Sequence, residues 1–195
     1  MYQLLYTIIF IIIIFIYLYL NYNNILYVQT NFGTKSLIYK DKNNNQTSKS
    51  NLLNKIIDNM YILRDYLYSH INDYPDFKEY IIQLKNNFNS NRTIIYETDP
   101  KTELTSYSVN KGEELSICLK DKKTNDLYDI NLLMYVVIHE MSHFACPEIG
   151  HGLLFQKIFN KFTLVAIDIG LYINEDYNKN PINYCGLLLN SSIVS

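Results

Sequence analysis

The sequence of 195 residues has no cluster of basic side chains and few cysteines. Its 17 Lys and Arg are scattered among 19 Asp and Glu, and the net charge is −2. Because proteins that grip nucleic acid present a concentrated basic face, we expect no nucleic-acid partner. The three cysteines, Cys118, Cys146 and Cys185, are widely spaced. This pattern excludes a dense disulfide framework and a paired CxxC zinc knuckle, so we expect reduced, buried thiols.

Charged residues are also absent from the N-terminal segment, residues 4–20, which is rich in Ile, Leu, Phe and Tyr. A helix of that length rises about 26 Å, close to the thickness of a bilayer core. No Lys or Arg precedes it and no small-residue cleavage site follows it. A retained single-pass transmembrane anchor over residues 1–21 is therefore favoured over a cleaved signal peptide or a buried core helix. Lysines follow the segment, and the positive-inside tendency then predicts a cytoplasmic domain.

The rest of the chain divides into a polar linker, residues 22–49, and a folded domain, residues 50–195. Apolar spacing predicts a long helix from about Ser50, and Pro75 opens a shorter one that ends near Phe88. β-favouring runs at residues 93–96, 106–109 and 115–119 follow, and residues 110–112 can turn a hairpin. Two further helices are predicted from about Asp129 and Gly152. The expected fold class is α+β with a small antiparallel sheet.

His139, Glu140 and His143 form an HExxH motif inside the helix predicted from about Asp129. Helical residues four apart lie about 40° apart around the axis, so both imidazoles can reach one ion from the same face. Zinc accepts two neutral imidazoles and leaves a position for water, from which Glu140 is placed to take a proton. Chance would produce about 0.003 such matches in a chain of this composition. The motif therefore predicts a catalytic zinc site.

A third metal ligand must come from the chain beyond the motif, and His151 is the best candidate. Pro147 and Gly150 end the motif helix and let the chain present His151 at the start of the next helix. The alternatives for this ligand are Glu148, Cys146 and Asp168.

These alternatives each have another interpretation. Cys146 is more typical of a small buried apolar side chain than of a ligand. Asp168 could hydrogen-bond a ligand histidine or lie on a solvated helix face. Tyr184 is one of several tyrosines that could stabilise an oxyanion during peptide hydrolysis.

The segment from His139 to His151, followed by Phe155, resembles the zincin peptidases of the SprT-like and WLM kind. It looks closest to predicted metallopeptidases of large nucleocytoplasmic DNA viruses. The resemblance covers about residues 106–162 and implies a minigluzincin-like domain with zinc on His139, His143 and His151 and with Glu140 catalytic. It also implies that the strand at residues 115–119 is the sheet edge that aligns an extended peptide. The spacing from His143 to His151 differs from the usual WLM interval, and basic DNA-binding extensions are missing.

The resulting functional hypothesis is a zinc-dependent metalloendopeptidase, tethered to a membrane, that cleaves a protein or peptide substrate with Glu140 as general base. Its domain would lie on the cytoplasmic or virion-internal side. The alternative is a catalytically silent, membrane-anchored viral structural or interaction protein that retains a zinc site. An intact Glu140 argues against this alternative, because a purely structural site needs no base.

Overall fold

The computed structural model describes residues 2–22, 24–40 and 46–194. These residues contain five α-helices, seven strands and two short 3-10 helices, Ile71–Asp73 and Pro75–Phe77. In chain order the main elements are α1 (Tyr2–Tyr22), β1 (Ile25–Val28), β2 (Lys35–Tyr39), α2 (Gln46–Ser69), α3 (Lys78–Asn87), β3 (Ile94–Glu97), β4 (Tyr107–Val109), β5 (Glu114–Ile117), α4 (Ile130–Ala145), α5 (Leu153–Asp168), β6 (Ile182–Tyr184) and β7 (Leu187–Leu189). The fold is mixed α/β.

The main sheet has five strands in the order β1-β2-β3-β5-β4. The pairs β2–β3 and β3–β5 are parallel, whereas β1–β2 and β4–β5 are antiparallel. The expectation of an antiparallel sheet is therefore wrong, because α2 and α3 return the chain between β2 and β3 in the manner of a parallel crossover. β6 and β7 form a separate two-stranded hairpin.

The helices and strands predicted from apolar spacing after residue 50 are present. The linker predicted over residues 22–49 is wrong where β1 and β2 lie, because these strands pair with each other and join β3. Burial alternates along β2, as expected for a strand with one face on the core. The polar residues around β2 obscure this alternation in the sequence. Part of the predicted linker, residues 41–45, lies outside the described residues.

The predicted single-pass membrane anchor is corrected by the structure. Among the described residues, no helix combines the length and the apolar character that crossing a bilayer demands. α1, although 21 residues long, falls short of that combination. The expected membrane partner and localisation are withdrawn with the anchor.

α4 is the central helix of the folded part and is buried along nearly its whole length. It packs against α2, α3 and α5 and touches β4. Asp129 begins the helix, since its side chain accepts a hydrogen bond from the backbone N–H of Asn131. Because α4 is enclosed on several sides, its HExxH residues are placed by the core rather than by a mobile surface.

The expectation of three reduced cysteines is wrong for two of them. Cys118, just after β5, is joined by a disulfide to Cys185 in the β6–β7 turn, 67 residues away, with a Cα–Cα distance of 6.4 Å. The sequence did not predict this hairpin, so the approach of the two cysteines was not foreseeable from their spacing. Cys146 is free and buried, as expected.

A buried ion pair joins α2 to the sheet. The ammonium of Lys49 lies 2.9 Å from a carboxylate oxygen of Glu97, and both side chains are at most 2% exposed. Lys49 also donates to the backbone carbonyl of Tyr39, and the N–H of Tyr39 donates to Glu97. These contacts satisfy the two buried charges and tie α2 to β2 and β3.

Replacing Lys49 with Met leaves the Glu97 carboxylate buried without its cation, so we expect a loss of about 3 to 5 kcal/mol in the free energy of unfolding. The double variant Lys49→Met/Glu97→Gln removes both charges and should recover most of that loss. Urea denaturation measures both effects. The control is Lys179→Met, which breaks an exposed pair with Asp176 and should cause no measurable change. Equal losses in the single and double variants would show that the unpaired Glu97 carboxylate is not the cause of the destabilisation.

Candidate metal centre

Three histidines from α4 and the loop after it meet at one point. The Nε2 atoms of His139 and His143 are 3.2 Å apart. The Nε2 atom of His151 lies 3.1 Å from Nε2 of His143 and 3.0 Å from Nε2 of His139. Among the described residues, these three form the group whose ligand atoms lie within 4.8 Å of one another. We call them the histidine trio. The structure thus brings together the two motif histidines and the predicted third one.

Hydrogen bonds among the trio cannot satisfy all three nitrogens. In a neutral imidazole each ring nitrogen is either a donor or an acceptor. A triangle contains three pairs, so at least one pair must bring together two lone pairs or two N–H groups. A cation among the three lone pairs removes this conflict, because every nitrogen can then act as a ligand.

The trio's dimensions fit a small divalent ion. Three nitrogens around a tetrahedral zinc, each about 2.0 to 2.1 Å from it, are about 3.3 Å apart. The observed separations of 3.0 to 3.2 Å are close to that value. Burial lowers the pKa of His139 to about 3 and that of His143 to about 4, and repulsion between the rings adds to both shifts. Both rings are therefore neutral at pH 7, the form that binds metal.

The aromatic ring of Phe155 on α5 packs against all three imidazoles of the trio. The ring of Phe155 stacks on His143 with centroids 4.2 Å apart, and it meets His139 and His151 edge-on at 4.9 and 4.8 Å. Phe155 is 2% exposed. It restricts the rotation of all three imidazoles, which reduces the entropy lost when they bind a common ligand.

Glu140, between the two motif histidines, lies in the same cavity and is 6% exposed. The hydroxyl of Ser108 on β4 donates a 2.7 Å hydrogen bond to its Oε2. Burial raises the pKa of Glu140 to about 7, and the Ser108 hydrogen bond opposes that shift. A cation bound by the trio would also oppose it. The second carboxylate oxygen of Glu140 has no protein partner in the hydrogen bonds of the described residues.

The return of His151 to α4 depends on the loop that follows the helix. α4 ends at Ala145 with Cys146 as its C-cap, and Pro147 cannot continue the helix. Gly150 has a φ of +84°, a backbone conformation that glycine adopts readily and that reverses the chain. α5 then begins at Leu153. The predicted roles of Pro147 and Gly150 are therefore in agreement with the structure.

Lys111, which the sequence analysis did not single out, holds this loop. Its ammonium donates to the backbone carbonyl oxygens of Cys146 and Glu148, at 2.6 and 2.5 Å. These are charge-assisted hydrogen bonds, one to the carbonyl of the C-cap residue of α4 and one to a carbonyl of the loop that follows. Lys111 thereby joins the β4–β5 turn to the segment that carries His151.

The β4–β5 turn is itself fixed in an unusual conformation. Asn110, Lys111 and Gly112 all have positive φ, at 47°, 56° and 99°. The guanidinium of Arg92 donates to the carbonyl oxygens of Asn110 and Lys111, at 2.7 and 3.0 Å. A Cβ at Gly112 would lie 3.0 Å from the ring of Phe144 on α4. Glycine therefore allows both the turn and its close approach to α4.

The trio and Glu140 open into a cavity of about 730 Å³. β4 lines it through Tyr107 and Ser108, and the β6–β7 hairpin lines it through Leu187 and Leu189. The expectation that residues 115–119 form the sheet edge is wrong, because β5 pairs with β3 on one side and β4 on the other. β4 is the edge strand on this side of the sheet, because the chain places it outside β5.

The alternative third ligands lie elsewhere. Glu148 and Asp168 are exposed and are not in the trio's group, and Cys146 is buried without joining it. Tyr184 lines the cavity, but its hydroxyl donates to the carbonyl of Cys118 and lies 2.5 Å from Ser106 Oγ. Burial raises the pKa of Tyr184. Its hydroxyl is committed to these partners and does not serve as a free oxyanion donor.

Comparison with known proteins gives relatives that are mainly viral. No protein-family model matches the chain. The uncharacterized protein R325 of Acanthamoeba polyphaga mimivirus is 37% identical over 168 residues, which cover 86% of this chain and 84% of R325. The uncharacterized protein 136R of Invertebrate iridescent virus 6 is 38% identical over 107 residues, covering 54% and 56%. The crystal structure of Wss1 from Saccharomyces cerevisiae aligns with a TM-score of 0.48 and 18% identity, covering 70% of this chain and 91% of that chain.

The fold and the site define a mixed α/β protein with a three-histidine cluster in a cavity that the edge strand β4 lines. The chain belongs to the family of the mimivirus protein R325, since the identity to R325 extends over most of both proteins. The viral part of the resemblance is confirmed, whereas the similarity to metallopeptidases of those viruses stays a prediction, because these relatives are uncharacterized. The likeness to Wss1 is one of fold alone.

Replacing Lys111 with Met should loosen the loop that carries His151. Losing two hydrogen bonds to a charged group, worth about 1.5 to 3 kcal/mol, should speed proteolytic cleavage within residues 147–151 by about 10- to 100-fold. Limited proteolysis with a protease of broad specificity, read by mass spectrometry, measures this change. Lys122→Met is the matched control, because the Lys122 ammonium also donates to two backbone carbonyls, those of Thr102 and Leu104. An unchanged cleavage rate within residues 147–151 in Lys111→Met would show that Lys111 does not hold the loop.

Proposed function

We propose that this chain is a zinc-dependent metalloendopeptidase with a minigluzincin-like domain. In this proposal His139, His143 and His151 hold the zinc ion, and Glu140 is the general base. The catalytic unit is residues 50–195, to which β1 and β2 add the far edge of the sheet. The observation that carries the proposal is the meeting of the trio, Glu140 and the edge strand β4 in one cavity.

The donor set fits zinc better than magnesium or calcium. All three candidate ligands are imidazole nitrogens, which zinc accepts, whereas magnesium and calcium prefer oxygen ligands. When bound, zinc supplies a Lewis acid that polarises a carbonyl and lowers the pKa of a coordinated water to about 7. Three protein ligands leave room for that chemistry, in contrast to a structural site closed by four.

Glu140 is suited to hold and pass on a proton. One of its carboxylate oxygens accepts from Ser108, which fixes the orientation of the group. The other oxygen is directed to the proton that leaves the attacking water, and Glu140 returns this proton to the leaving amine. Ser108 is a positioning residue in this account, because it acts through Glu140. The burial that encloses Glu140 also keeps bulk water from competing for the carboxylate.

β4 is suited to align an extended peptide beside the trio. An edge strand presents backbone N–H and C=O groups that a second chain can pair with. Ser108 of β4 touches Glu140, so a peptide paired with this strand passes next to the carboxylate. Main-chain pairing is independent of side-chain identity. It would bring the backbone of a peptide, rather than a side-chain amide, next to the trio.

The substitution Glu140→Gln tests the role of the base directly. We expect the variant to retain metal and fold while peptide hydrolysis falls by about 100- to 10,000-fold, because only the proton transfer is lost. The measurement compares zinc content and cleavage of a fluorogenic peptide mixture by the full chain, with a chelator control. If the wild-type chain binds zinc but cleaves no peptide in a Glu140-dependent manner, the silent structural role replaces this proposal.

The substitution His151→Ala tests the third ligand. Removing one of three imidazoles should weaken zinc affinity by more than about 100-fold, since the remaining two hold the ion less completely. Competition with a zinc-binding dye measures the affinity. His70→Ala is the control, because His70 lies just after α2, stacks on Tyr66 and does not belong to the trio. Equal affinities of wild type and His151→Ala would remove His151 from the ligand set.

A further inference from the structure

The β6–β7 hairpin forms an apolar wall of the cavity. Leu187 and Leu189 of β7 line it, whereas Leu188 between them does not. Side chains alternate between the two faces of a strand, so Leu187 and Leu189 point to one side and Leu188 to the other. Leu187 and Leu188 are almost equally exposed, at 51% and 50%. We call Leu187 and Leu189 the hairpin wall.

The hairpin wall is held in place by contacts at the hairpin tip. Its two-residue turn, Cys185 and Gly186, has φ values of +50° and +89°, as tight hairpin turns require. Cys185 is bonded to Cys118, and its backbone N–H donates to the hydroxyl of Tyr128 at 2.8 Å. Tyr184, the residue before the turn, donates from its hydroxyl to the carbonyl of Cys118 at 3.0 Å. The wall is therefore preorganised, and a ligand need not order it.

α4 contributes further apolar surface to the same cavity through Tyr135 and Val136, one turn before His139. The hydroxyl of Tyr135 lies 3.3 Å from the carbonyl oxygen of Ser191 and accepts from the N–H of Ile193, so its ring is fixed. Among the described residues that line the cavity, the Lys and Glu side chains are Lys111 and Glu140. The first is bound to two carbonyls and the second to Ser108. At the hairpin wall itself, a charged ligand side chain would lose its hydration against leucine side chains.

We infer that the hairpin wall, with Tyr135 and Val136, selects substrates that carry a bulky, uncharged apolar side chain next to the scissile peptide bond. This inference rests on the proposed function and adds its substrate class. A peptide paired with β4 has alternate side chains directed to the two sides of the strand, and those on the cavity side meet Leu187 and Leu189. Leu187 and Leu189 are specificity-determining residues in this account, and they take no part in proton transfer.

The test measures binding separately from cleavage. The zinc-loaded full chain carrying Glu140→Gln is titrated with two fluorescein-labelled octapeptides that differ only at one central position, Leu or Asn. We expect the Leu peptide to bind at least tenfold more tightly than the polar, uncharged and similarly sized Asn peptide, because apolar contacts in a pocket discriminate by about 10- to 200-fold. Adding Leu187→Ala or Leu189→Ala should reduce this preference several-fold. Adding Leu188→Ala should leave it unchanged.

Equal affinities for the two peptides, binding of neither peptide, or the same loss of preference in Leu188→Ala as in Leu187→Ala would overturn the inference. Circular dichroism of each variant separates these results from misfolding, and Leu187→Met provides a second variant that keeps the apolar volume and should keep the preference. Cleavage by the chain with Glu140 intact is measured in parallel. Selective binding without cleavage overturns the proposed function alone, whereas cleavage without selectivity overturns the inference alone.

Discussion

Three imidazole nitrogens held within 3.2 Å of one another are an unfavourable arrangement unless a cation lies among them. Two lone pairs that face each other repel, and no choice of tautomers gives every pair one donor and one acceptor. The chain nevertheless fixes all three rings through the buried helix α4, the stacked ring of Phe155 and the loop after the helix. A cation held by the three nitrogens would remove this repulsion.

The elements around α4 can be understood as support for that arrangement. Lys111 holds the loop that brings His151 back, and Arg92 holds the turn that carries Lys111. The same turn connects β4 to β5, so the strand proposed to bind the peptide and the loop that carries the third histidine share one anchor. A change in this turn, which has positive φ and lies close to α4, would therefore move His151 and β4 together.

The sequence allowed the histidine trio and its helix to be predicted better than the periphery of the molecule. HExxH on a helix is defined by local spacing, and Pro147 and Gly150 gave a local reason for the return of His151. Lys111 and Ser108 were missed because a lysine in a turn and a serine in a strand carry no distinctive pattern. Their roles arise from contacts with α4 and with the loop after it, 32 to 37 residues away in the sequence.

The sheet edge and the C-terminal hairpin could not be predicted for a related reason. The strands after residue 93 were recognised, but their order depends on the parallel pairing of β3 with β5, which no local signal encodes. β1 and β2 were obscured by polar neighbours, and the membrane anchor was inferred from the uncharged length of residues 4–20. The Cys118–Cys185 pair depends on the hairpin, so it was missed together with it.

The most direct test of the central claim is X-ray absorption spectroscopy of the full chain loaded with one equivalent of zinc. The account predicts a first shell of nitrogen and oxygen at about 2.0 to 2.1 Å, with the outer-shell scattering of three imidazoles and no sulfur. A sulfur contribution near about 2.3 Å, or scattering from fewer than three imidazoles, would contradict it.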